Sequence, residues 1–148
     1  MASKFENLEI KGLDEIERRL QRLPEKLRRK SIKKVMTDSA ETIRSEAARR
    51  CRKNPKGPTW PKTGHLADAV AQKVSVKAEK STAKIGIDYS KAHHGHLVEF
   101  GHRIVVHKKD TGKRTRKFPF MRPAFDSKGD EALDTLLDGL KKAVEAEA

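Results

Sequence analysis

Four of the five phenylalanines, Phe100, Phe118, Phe120 and Phe125, fall within residues 92–125. Large rings carry most apolar area per residue, so a chain with only 5% aromatics must place its strongest hydrophobic anchor there. The stretch opens on a histidine-rich turn and an apolar-acidic knot, His93-His94-Gly95-His96-Leu97-Val98-Glu99-Phe100-Gly101-His102. It closes on Phe118-Pro119-Phe120-Met121-Arg122-Pro123-Ala124-Phe125. Between the knots, residues 102–117 read as a long basic loop carrying Arg103, Lys108, Lys109, Lys113, Arg114, Arg116 and Lys117. Two anchored ends holding out a basic segment are the layout of a contact device; the alternative is an exposed hairpin with no partner.

The rest of the composition limits how much core can support this anchor. With 148 residues, 35% hydrophobic and 37% charged, the chain reads as a single domain over 1–148 with a thin core of Ala, Leu, Val and Ile. A thin core implies that neighbours supply missing burial. The net charge of +13 predicts attraction to polyanions or to an acidic protein surface. A lone cysteine, Cys51, excludes an intrachain disulfide framework and fits a reducing compartment. No apolar run approaches the ~20 residues a bilayer demands, and the polar start Met1-Ala2-Ser3-Lys4 lacks a signal-peptide core. A soluble protein made inside the cell, with no membrane partner, is expected.

Along the chain, residues 5–10 alternate as a short edge strand ended by Gly12. Leu13, Ile16, Leu20 and Leu23 then recur at helical spacing, with Asp14, Glu15 and Glu17 suiting a helix start and Pro24 ending it. A second helix over 25–52 has the inward stripe Leu27, Ile32, Val35, Met36, Ser39, Ala40, Ile43 and Ala47. Its remaining face is basic, from Arg28 to Lys53, and reads as a solvated face diluted by Asp38, Glu41 and Glu46. The Pro- and Gly-rich stretch 54–64 reads as loop, with Trp60 a plug for core or intersubunit packing. Thr63 or Asp68 can cap a short apolar turn at Leu66, Ala67, Ala69 and Val70. Val74, Val76 and Ala78, then Ile85 and Ile87, alternate with polar residues as a β-hairpin joined around Lys80 and Ser81. Asp126 or Ser127 can cap a final, acidic helix through Leu133, Leu136, Leu137, Leu140 and Val144. The fold class expected is α+β: long N-terminal helices and a C-terminal helix packed on a small, mainly antiparallel sheet, with a long basic loop. Charge is segregated into a basic front and an acidic end, so in a ring of copies one tail can meet the next subunit's basic face.

Catalytic constellations are hard to assemble. Five of six histidines lie within residues 93–107, but a hydrolytic zinc helix places two histidines four apart with a glutamate beside the first. His93 and His96 are three apart, and Glu99 lies beyond both. Cys51 sits among Arg49, Arg50, Arg52 and Lys53, which favour thiolate, yet no base can be named by spacing. No catalytic residue, metal ligand or cofactor site is assigned. Glu99, between Val98 and Phe100, is the more informative residue: a carboxylate held in apolar surroundings needs a partner, and Arg122, between Met121 and Pro123, is the candidate.

The order of these features resembles the head-tail joining or tail-completion (minor tail) proteins of long-tailed bacteriophages. The resemblance spans residues 8–144. It rests on Gly12-Leu13-Asp14-Glu15, a long helix, Thr63-Gly64-His65-Leu66, a hairpin, Tyr89 followed by Val98-Glu99-Phe100-Gly101, and Pro119-Phe120-Met121-Arg122-Pro123-Ala124-Phe125. His102 departs from it, since the family more often has Thr there. The resemblance implies a non-enzymatic virion component, assembled in the host cytoplasm into a ring at the tail top or neck. Its partners would be further copies, other tail and head-connector proteins, and double-stranded DNA passing through the channel. Gly64, Leu66, Glu99, Phe100, Gly101, Phe120, Arg122, Pro123 and Phe125 would be structural, and Trp60 with the seven loop cations would make contacts. The alternative is a basic nucleic-acid-binding protein acting outside a virion; a metal-dependent nuclease using His93, His96 and Glu99 comes third.

Overall fold

The computed structural model describes residues 13–52, 59–60, 64–78 and 80–146, so the strand expected over 5–10 lies outside the described residues. Helix α1 (Leu13–Arg22) buries Ile16 and Leu20 against Val144, with Leu23 and Leu140 beside them. Pro24 breaks the periodicity and its carbonyl accepts the Arg28 amide, which starts α2 (Glu25–Arg52). Helix α4 (Met121–Ala146) packs mainly along α2.

The α2–α4 contact is close because the facing residues are small. Ser39 Oγ donates to the Ala132 carbonyl at 2.5 Å, and a Cβ on Gly139 would stand 2.6 Å from Val35 Cγ1. The expected stripe of α2 is buried at Val35, Ser39, Ala40, Ile43 and Ala47. Leu27 is instead exposed, and Ile32 and Met36 are half-buried.

Glu46, which hydropathy places on the basic face, is buried. It is held by Arg49 Nε and Nη2 at 2.7 and 2.6 Å and by Arg50 Nε at 2.7 Å. Hydrogen bonds from Arg49, and then from Arg50, bring its carboxyl down to about 2 despite burial. Arg44 likewise lowers Glu41. A carboxylate depressed on folding adds stability that is present above its unfolded value and lost as pH falls through the folded one. The Glu46 contribution therefore disappears between pH 4.5 and about 2. With both arginines partly in solvent, it amounts to about 1 kcal/mol. Glu46→Gln is expected to lower the urea midpoint at pH 7 and to flatten its decline below pH 4.5; an unchanged acid limb would contradict this.

Three two-stranded antiparallel sheets, rather than one sheet, complete the α+β fold among the described residues. Within the stretch expected to be all loop, β1 (Thr59–Trp60) pairs with β2 (Gly64–His65). A 3₁₀ turn, Leu66–Ala69, leads into β3 (Val70–Val76), which pairs with β4 (Ser81–Ile87) from Val70↔Ile87 to Val76↔Ser81. This is the expected hairpin, with its first strand beginning four residues earlier than the alternation from Val74 suggests. Part of the basic face of α2 is spent on it: Arg29 donates to the Val76 carbonyl at 3.2 Å and Arg44 to that of Val70 at 3.3 Å. The principal core joins Ala47 and Cys51 of α2 to Leu66, Ala67, Ala69, Val70, Ala92, Phe120 and Ala124. The largest fully buried side chains among the described residues are Phe120, Leu66 and Cys51.

Candidate assembly site

Chain leaving β4 turns at Asp88, whose Oδ1 accepts the Ser90 amide and hydroxyl at 3.0 and 2.6 Å. The expected histidine-rich turn then becomes a short helix, α3 (Gly95–Phe100). A Cβ on Gly95 would lie 2.6 Å from Ile87 Cγ1, so α3 sits hard against the end of β4. This contact aims Glu99 inward, where it is 7% exposed.

Glu99 closes the N-terminus of α4. The first four N–H groups of a helix have no partner within it. Here the four positions are Phe120, Met121, Arg122 and Pro123, of which the first three carry an N–H. Glu99 Oε2 accepts from the Phe120 and Met121 amides at 2.7 and 3.1 Å, and Oε1 from that of Arg122 at 3.3 Å. The fourth donor does not exist, because residue 123 is proline, which the first helical turn tolerates. The Ala124 amide then makes the first intrahelical bond, to Phe120 O at 3.3 Å. The carboxylate also lies at the positive end of the α4 dipole. The expected Glu99–Arg122 ion pair is thus replaced by a bond to the Arg122 backbone; the guanidinium is in none of the ion pairs among the described residues.

The same two knots root residues 102–117. Phe118 N donates to Val98 O at 2.9 Å, Thr115 N to His102 O at 2.8 Å, and His102 N to Thr115 Oγ1 at 2.9 Å. Gly101 ends α3 at φ 67°, ψ 160°, a region that is essentially glycine's alone. Beyond it the chain forms a hairpin and not a long loop: β5 (Arg103–Val106) pairs with β6 (Lys109–Arg114). Its two-residue turn has His107 and Lys108 at φ 48° and 64°, the left-handed conformations a tight hairpin turn requires. Every β6 residue is exposed, as are Val105 and Val106, and each strand has the other as its chief neighbour. Arg103 pairs with Asp110 at 3.2 Å. Lys108, Lys109, Lys113, Arg114, Arg116 and Lys117 have no ion-pair partner among the described residues.

The anchor is narrower than the phenylalanine count implies. Phe120 is wholly buried and Phe118 half-buried, but Phe100 is 66% and Phe125 46% exposed. Gly64 and Leu66 sit at the β2 end and in the core; the Trp60 side chain lies outside the described residues. Cys51 is buried, and desolvation pushes its thiol up to about 11, outweighing the lowering by Arg52. Among the described residues, no three His, Cys, Asp or Glu side chains are grouped to hold a metal ion. His93 and His96 instead flank the exposed Tyr89 ring, at centroid distances of 6.5 and 6.4 Å. Sequence reading also missed an open groove of about 370 Å³ between α2 and α4, lined by Asp38, Glu41, Glu46, Arg49, Lys128 and Glu131. Most of its carboxylates are already paired with neighbouring cations. No helix among the described residues is long and apolar enough to cross a membrane.

Comparison with known families matches residues 14–101 to the HK97-gp10-like family, described as "Bacteriophage HK97-gp10, putative tail-component". The match runs from the start of α1 to the glycine that ends α3. The β5–β6 hairpin and α4 lie beyond it. Neither a curated protein nor a solved structure matches the chain. Because the match takes in both N-terminal helices, the β3–β4 hairpin and the Glu99 knot, more than half of the sequence, the chain belongs to the HK97-gp10-like family of bacteriophage tail components.

Proposed function

We propose that this tail component completes the tail at its joint with the head, as a ring of identical subunits through which DNA passes. Its other partners in this reading are tail and head-connector proteins, and its place is the virion neck after assembly in the host cytoplasm. Its role is structural, without a catalytic step or cofactor. The observation that carries the reading is the β5–β6 hairpin: a two-stranded sheet is marginal alone in water, yet this one is rooted firmly and held out exposed. Such an element gains most from a neighbour. Its seven cations against one aspartate over 102–117 also favour a second reading, non-specific binding of double-stranded DNA outside a virion.

Salt and stoichiometry separate the two. A protein held on DNA by Lys and Arg loses affinity steeply as salt rises, whereas a ring subunit forms a closed oligomer without DNA. Native mass spectrometry and electron microscopy, with and without tail and connector proteins, are expected to show a discrete ring. A chain that stays monomeric and does not join tails would overturn the assembly reading.

A further inference from the structure

Helix α4 carries a feature that the family match does not reach. Asp126, Asp130, Asp134 and Asp138 recur every four residues along it, and all four are exposed. Side chains at this spacing form one ridge on a helix. Lys and Arg outnumber acids 34 to 21 in this chain, and carboxylates such as Glu41, Glu46, Asp68 and Glu131 each have a cation beside them. The four ridge aspartates have none among the described residues. The ridge faces away from α2, because Ala132 and Gly139 occupy the α2 side.

The hairpin is the complementary surface. Lys108, Lys109, Lys113 and Arg114 are exposed and unpaired among the described residues, beside exposed Val105 and Val106. The ends of β6, Lys109 and Arg114, pair with Val106 and Arg103 at the ends of the four-residue β5, so the cation-bearing edge spans about 10 Å at the strand rise. Ridge aspartates follow one another about every 6 Å at the helical rise, so this edge can meet two or three of them in succession. Within one copy no ion pair joins them.

We infer that the β5–β6 hairpin of one copy docks on the aspartate ridge of α4 in a second copy. Each subunit gives one hairpin and receives one, a head-to-tail contact that closes into a ring. The inference rests on the ring reading and names the surfaces that make it. Lys141 and Lys142, just past the ridge, mark where the favourable field ends.

The test is a charge exchange read by sedimentation velocity, with far-UV circular dichroism to verify folding. All the altered side chains are exposed, so the fold is expected to persist. Lys109→Glu/Lys113→Glu/Arg114→Glu and Asp130→Lys/Asp134→Lys are each expected to weaken self-association by roughly tenfold or more, since like charges then face each other. Mixed one to one, the two variants are expected to assemble again, because every hairpin then meets a ridge of opposite sign. Intact assembly in either folded variant, or a mixture that fails to assemble, would overturn the interface while leaving a wild-type ring in place. A wild-type chain that remains monomeric removes the ring reading and this contact together. Assembly unchanged in the hairpin variant with duplex DNA binding lost would make DNA the occupant and overturn the contact between copies.

Discussion

Replacing Glu99 by alanine is expected to cost the fold about 4 kcal/mol, because it leaves the Phe120, Met121 and Arg122 amides without an acceptor. That is a large share of the roughly 5–15 kcal/mol that holds a domain of this size together. The position is buried, so water cannot freely replace the carboxylate. Glutamine is the informative companion. Its single carbonyl oxygen can keep the bonds to Phe120 and Met121, but its amide nitrogen then faces the Arg122 N–H and the charge at the helix start is lost. About 2 kcal/mol is expected for Glu99→Gln, measured as for alanine by urea unfolding. Arg122→Ala leaves the backbone bond in place and should stay within about 0.5 kcal/mol of wild type. If Arg122→Ala proved as damaging as Glu99→Ala, the side-chain ion pair would be the true anchor and the helix-capping account wrong.

The second large effect is expected at Gly101. At φ 67°, ψ 160° an alanine is strained wherever its Cβ points, and here the Cβ would also stand 2.8 Å from the Thr115 carbonyl oxygen. That oxygen is backbone, fixed by the Thr115–His102 bonds, and cannot turn aside without opening the root of the hairpin. Gly101→Ala should therefore cost about 3 kcal/mol, with the largest shifts in an NMR spectrum at His102, Thr115 and Lys117. Gly112 supplies the control. It has φ 69° but nothing within 4 Å of its Cβ position, so Gly112→Ala should cost only about 1 kcal/mol. Equal losses at both sites would mean that crowding at the root contributes nothing.

These two residues also mark the boundary of what could be read from the sequence. Helices α1 and α2 were legible because their apolar positions repeat at 3.6 residues and Pro24 separates them. The β3–β4 hairpin was legible from its alternation. The β5–β6 hairpin was not, since β6 contains no apolar residue other than Gly112 and its turn uses His-Lys in place of the Asn-Gly that signals such turns. Within the site, the composition pointed to the right segments and the wrong atoms. Glu99 and Arg122 do meet, but through a backbone amide 23 residues away that no pattern reveals. Successive side chains on a helix point about 100° apart, so turning Glu99 inward to cap α4 sends Phe100 out to solvent, against hydropathy. Glu46 is a second inversion of the same kind, drawn in by two arginines of its own helix. Pro123 was the one local clue, as a proline near the start of an apolar-periodic run marks a first helical turn.

The proposed role asks the anchored hairpin to be exposed in the single subunit and covered in the assembly. Amide hydrogen exchange on the isolated chain and on the assembled ring reads both conditions residue by residue. The amides of Phe120, Met121 and Arg122 should be protected in both states by the Glu99 carboxylate. Those of residues 103–114 should exchange rapidly in the single subunit and slow by at least roughly tenfold on assembly. Hairpin amides that exchange equally fast in the ring would contradict the assignment of this segment as the assembly arm.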